Sequence, residues 1–165
     1  MPTSFDIVAE DPFYSIAHAD DVCLFVPRAP PHPDITGALQ RAVESRHRQS
    51  QRKLALFLLV PANAPSPAGG DRESAARHFT MMKDDLALCA AVLEGSGFIA
   101  AAKRSLVLHI LSGMLGKMPV KVFGDLHDAA TWLCDQAPAR TVRCPQAFDL
   151  IRFARRLRDK VSLDG

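Results

Sequence analysis

The spacing of hydrophobic positions changes repeatedly along the chain, and each change marks an element. Phe5–Ala9 and Tyr14–Ala17 read as short strands separated by the turn signal Glu10-Asp11-Pro12. Val22–Val26 (VCLFV) is β-branched and aromatic and is closed by Pro27, as a buried strand would be. The proline-rich RAPPHPD can neither continue a ladder nor sit inside a helix. Asp34 is then a natural N-cap for Ile35, Leu39 and Val43 at helical spacing, in a helix to about His47. Leu54–Val60 (LALFLLV) is apolar throughout, the pattern of a central strand covered by helices. After PANAPSPAGG, a helix is expected from Asp71 to about Asp85, with Ala75, Phe79, Met82 and Leu86 three or four apart.

Leu88–Leu93 reads as a further strand, ended by Glu94-Gly95-Ser96-Gly97. Phe98 to Leu115 is the longest helical pattern. Ile99, Ala102, Leu106, Ile110 and Leu111 lie along one stripe, with Lys103 and Arg104 off it, and Gly113 and Gly116 end it. Val120–Phe123 is a strand. Asp125 caps a helix that buries Ala129, Trp132 and Leu133. Pro145 suits the first turn of a last helix to about Ser162, with Phe148, Ile151, Phe153, Leu157 and Val161 on its apolar side. The order β-β-β-α-β-α-β-α-β-α-α predicts an α/β fold with a small mixed, largely parallel sheet.

Composition narrows the class. At 165 residues, with 48% apolar and 23% charged residues, the chain has the make-up of one globular domain. A net charge of +2 argues neither for nucleic acid nor for an acidic partner, and with no recognised motif nucleic acid is not the expected partner. The charge is uneven: residues 1–27 carry five acids and no Lys or Arg, whereas Arg140 to Lys160 carries seven bases against Asp149 and Asp159. Such complementary ends make homo-oligomerisation a candidate arrangement. No signal-peptide pattern and no uninterrupted membrane-length apolar run is seen, so the expected location is cytoplasmic, with Cys23, Cys89, Cys134 and Cys144 reduced.

Four phrases together are similar to the SpoIIAA-like/STAS domain of bacterial anti-sigma-factor antagonists. They are VCLFV before a helix, LALFLLV before a loop and helix, CAAVLEGSGFIAAAKR, and MPVKVFGDLHDAATWL. The last resembles that family's closing strand, turn and helix with Ala-x-x-Trp-Leu. The resemblance spans about Val22 to Ala137. It implies a SpoIIAA/STAS-like domain over residues 1–137, with the basic helix of 138–165 packed on it or extending it. It also implies a non-enzymatic regulatory role through a protein partner. In that family a serine after the central strand is phosphorylated, which makes Ser66 and Ser74 candidate phosphosites. The Asp-Ser-Ser-Gly-type signature is replaced here by PANAPSPAGGDRES.

Direct chemistry is sparse. Gly95, Ser96 and Gly97 form a candidate anion-binding turn before a helix, although neither the GxGxxG nor the P-loop pattern is present, and a tight turn is the simpler reading. Arg152, Arg155, Arg156 and Arg158 are a candidate partner-contact face, or a solvated face pairing with the acidic N-terminal region. The six histidines lack metal-ligand spacing, and neither a GxSxG elbow nor a cofactor motif occurs. The alternative function is an apolar small-molecule or lipid site in a pocket between the sheet and helix 98–115.

Overall fold

The computed structural model describes residues 4–28, 33–62 and 69–160. Six strands form one sheet: β1 (Asp6–Asp11), β2 (Tyr14–Ala19), β3 (Val22–Pro27), β4 (Leu54–Val60), β5 (Leu86–Leu93) and β6 (Val120–Phe123). Five helices accompany them: α1 (Pro33–Ser50), α2 (Gly69–Met82), α3 (Gly97–Leu115), α4 (Leu126–Gln136) and α5 (Ala147–Asp159). The element order matches the one the periodicities predict. Strands lie in the sheet in chain order, antiparallel from β1 to β3 and parallel from β3 to β6.

The period-two alternation of the strands divides the core. Cys23, Leu56 and Cys89 point to one face and pack with Leu39 of α1, Phe79 of α2 and Leu111 of α3. Leu24, Phe57 and Ala90 point to the other, where Leu133 of α4 and Leu150 of α5 cover them. Both faces of β3, β4 and β5 are therefore buried, which explains their unbroken apolar sequences. Edge strand β1 instead carries Asp6, Glu10 and Asp11, charges that oppose edge-to-edge pairing.

Two helices differ in detail from expectation. Residues 83–85, expected at the end of α2, form a separate 3-10 turn, and β5 starts two residues early. In α5 the buried side is Leu150, Ile151, Phe153, Ala154 and Leu157, while Phe148 is exposed beneath the Arg152 guanidinium. Pro145 precedes α5, whose N-cap is Gln146. Val161 and Ser162 lie outside the described residues.

The turn between β2 and β3 holds the most connected polar group. Asp20 takes a positive φ of 50°, which its short side chain tolerates, and Asp21 is turned inward. The fully buried Asp21 carboxylate accepts bonds from Arg52 Nε at 2.8 Å and from the Arg143 backbone N–H at 2.8 Å. Arg143 adds two guanidinium bonds at 3.2 Å. Burial alone would raise the carboxyl's pKa, but the Arg143 and Arg52 bonds outweigh it and hold it below the ordinary value. One residue thus ties the β2–β3 hairpin to the entry of β4 and to the segment leading into α5.

Candidate functional site

Helix α3 carries the largest departure from the folding pattern. It is apolar almost all round, the signature of a helix buried on every side. It nevertheless lies at the β6 edge of the sheet, where one side only can be covered. Leu111 and Leu115 are buried, and Val107 and Met114 pack beside them against Val120 and Val122. Arg104 also faces inward, donating to the Gly95 carbonyl at 3.1 Å and lying against Gly124.

The opposite side is open. Phe98 is 87% exposed, Ile99 72% and Leu106 53%, and Leu108 and Ile110 are exposed as well. The stripe read from the sequence is split: Ile99, Ala102, Leu106 and Ile110 form the outer face, and Leu111 is buried. Periodicity shows that a stripe exists, but a helix apolar all round gives no signal for which side faces in. Met81 of α2 is a further exposed apolar side chain. No acidic residue occurs in α3, and Lys103 is on its outer side. By length and composition α3 could cross a membrane, with a mean hydropathy of 1.4 over its best window. Lys103 and Arg104 break the apolar run in the sequence and conceal this.

At the C-terminal end of α3 lies an open cleft of about 650 Å³. Leu86, Leu115 and Met118 form part of its wall, with Lys53, Lys83, Lys117 and Arg140 around them and Asp84 as the one acid. The cleft is not between α3 and the sheet, where the inner side chains of the helix occupy the space.

The other expected site residues are dispersed. Ser66 lies outside the described residues. Ser74 is buried in α2, with Arg77 donating to its hydroxyl at 3.2 Å. Gly95 and Gly97 take φ values of 126° and 91°, so the tight turn needs glycine there. Ser96 caps α3 without a side-chain bond. Three of the four candidate arginines of α5, Arg152, Arg155 and Arg156, are exposed. Arg158 pairs with Glu94 at 2.6 Å, Arg156 lies over the Phe153 ring and Arg155 is exposed. Contact with the acidic N-terminal region is made by Lys160, 3.0 Å from Glu10.

Two polar groupings remain, of which only Thr36 with His78 has no sign in the sequence, since His127 and Asp128 are adjacent in it. The Thr36 hydroxyl and His78 Nδ1 are 2.6 Å apart, but Thr36 is buried between α1 and α2, so the pair ties helices together. Asp125, His127 and Asp128 are clustered and exposed, and Asp125 is occupied in capping α4 through the Asp128 N–H. Neither grouping places a nucleophile beside a base in an open cleft. Compared with known family models, curated proteins and solved structures, the chain matches none.

Proposed function

We propose that the chain is a non-enzymatic regulatory interaction module of the STAS/anti-sigma-antagonist type, docking a protein partner through the outer face of α3. The observation that carries this reading is the exposed apolar face formed by Phe98, Ile99, Leu106 and Ile110. Contiguous apolar surface of this kind marks interaction sites in folded proteins. A protein partner suits it better than insertion into a bilayer, because the inner side of α3 is built into the core and Arg104 fastens its first half to the end of β5. With Lys103 on the outer side and no acid in the helix, the complementary surface is an apolar ridge rimmed by carboxylates.

The test is a photo-crosslinking side chain placed at Leu106 of the full chain in its own cells, with the same group at Asp128 as control. A discrete protein adduct from position 106 alone is expected, and it should vanish when Ile99 and Ile110 are changed to Glu. Both isoleucines are exposed, so that variant should keep the parent's thermal midpoint. An adduct between two copies would identify the partner as the chain itself. Equal labelling from both positions, or none from 106, would overturn the proposal.

A second reading, a site for an apolar molecule with an anionic head, is favoured by the cleft, where Leu115 and Met118 adjoin Lys53, Lys83, Lys117 and Arg140. A small-molecule mass seen in native mass spectrometry and lost on denaturation would support it.

A further inference from the structure

Cys134 and Cys144 belong to no feature described so far, yet their sulfurs are only 2.7 Å apart. Cys134 is in the last turn of α4, and Cys144 is in the segment that leads to α5. Local backbone structure holds the two together. A 3-10 turn at Pro138–Arg140 folds the intervening chain back, Thr141 adopts a left-handed φ of 56°, and the Val142 N–H donates to the Ala137 carbonyl at 3.0 Å. Both thiols are half-buried, and so remain within reach of a small reagent.

We propose that Cys134 and Cys144 form a dithiol–disulfide site that exchanges with low-molecular-weight disulfides. The thiolate of one of the two cysteines attacks one sulfur of the reagent, forming a mixed disulfide and expelling one thiolate. The other cysteine then gives up its proton, and its sulfur attacks the first and expels the second thiolate. The protein loses two electrons and two protons, and one reagent disulfide becomes two thiols. Either sulfur can open the exchange, because the contact between them has no fixed donor and the Cys134 thiol also reaches the Pro145 carbonyl at 3.3 Å.

The other two cysteines do not compete. Cys23 of β3 and Cys89 of β5 are fully buried, with Leu56 of β4 paired between them, and burial pushes each thiol up to about 12. A bond between residues ten apart would fix the end of α4 to the segment that carries Arg143, the partner of Asp21. This site lies on the α4–α5 side of the sheet, opposite α3, and does not depend on the docking role.

The reduced full chain is equilibrated against glutathione buffers of rising oxidised fraction, quenched in acid, unfolded and alkylated. Intact mass should show two alkyl groups lost together, and peptide mapping should place the link between Cys134 and Cys144. In Cys144→Ser, Cys134 should instead retain one glutathione. Four alkyl groups at every ratio, including oxidised glutathione alone, would overturn the proposal, as would a link through Cys23 or Cys89 or between two chains.

Discussion

His18 shows how a single side chain sets a pH response. It lies on β2 facing α1, is buried, and has no partner for Nδ1. Burial first, and Arg46 second, lower its pKa to about 4, against smaller opposing contributions from the Ala42 backbone and Asp6. The unfolded chain therefore takes up a proton near pH 6.5 that the folded chain refuses until about pH 4. Stability from this site is complete above the unfolded value and falls as pH drops through the interval. Between about pH 7.5 and about pH 5 the loss should be roughly 2 kcal/mol. Urea unfolding of the parent and of His18→Leu at both pH values checks this, and the variant should lack that increment. The sequence shows an isolated histidine. Its burial is a product of β2 lying beneath α1.

At the scale of elements, local signals are read most reliably where a cap or a breaker carries them. Asp125 is legible as an N-cap, and in the structure its carboxylate accepts the Asp128 N–H at 2.9 Å. Asp125→Ala should lower the unfolding free energy by about 1 kcal/mol, measured in denaturant, without altering the fold. Strands β4 and β6 coincide with their predicted limits because apolar runs and flanking breakers define both ends. Helix α3 shows where such signals stop. Its limits are legible from the Gly95–Gly97 turn and Gly116, but its facing is not. Position at the β6 edge leaves half of it uncovered, and that placement comes from the sheet order.

Across the whole molecule, the C-terminal helix is part of the core and does not hang from it. Leu150, Ile151, Phe153, Ala154 and Leu157 of α5 pack with β3 and β4 residues, and Phe5 stacks on Phe153 with ring centroids 4.3 Å apart. Arg28 reaches the Leu157 carbonyl at 2.8 Å and closes the same layer. Burial of four large apolar side chains contributes roughly 6–12 kcal/mol, comparable with the whole stability of about 5–15 kcal/mol typical of a domain. A chain ending at Pro145 should therefore lose the cooperative thermal transition seen by circular dichroism. Retention of a sharp transition would show that the remaining layers suffice.

The sequence by itself determined the order and type of the elements, the alternation that makes the sheet mixed, and the turns at which strands and helices stop. Those properties are local: a side-chain period of two or 3.6, a proline without an N–H, a glycine at positive φ. Only the tertiary structure decided which side of α3 meets water, that Asp21 meets an arginine 122 residues away, and that Cys134 meets Cys144. The first two depend on where the chain path returns after several elements and on which edge of the sheet is left with nothing beyond it, and the third on the 3-10 turn that folds the segment after α4 back on itself.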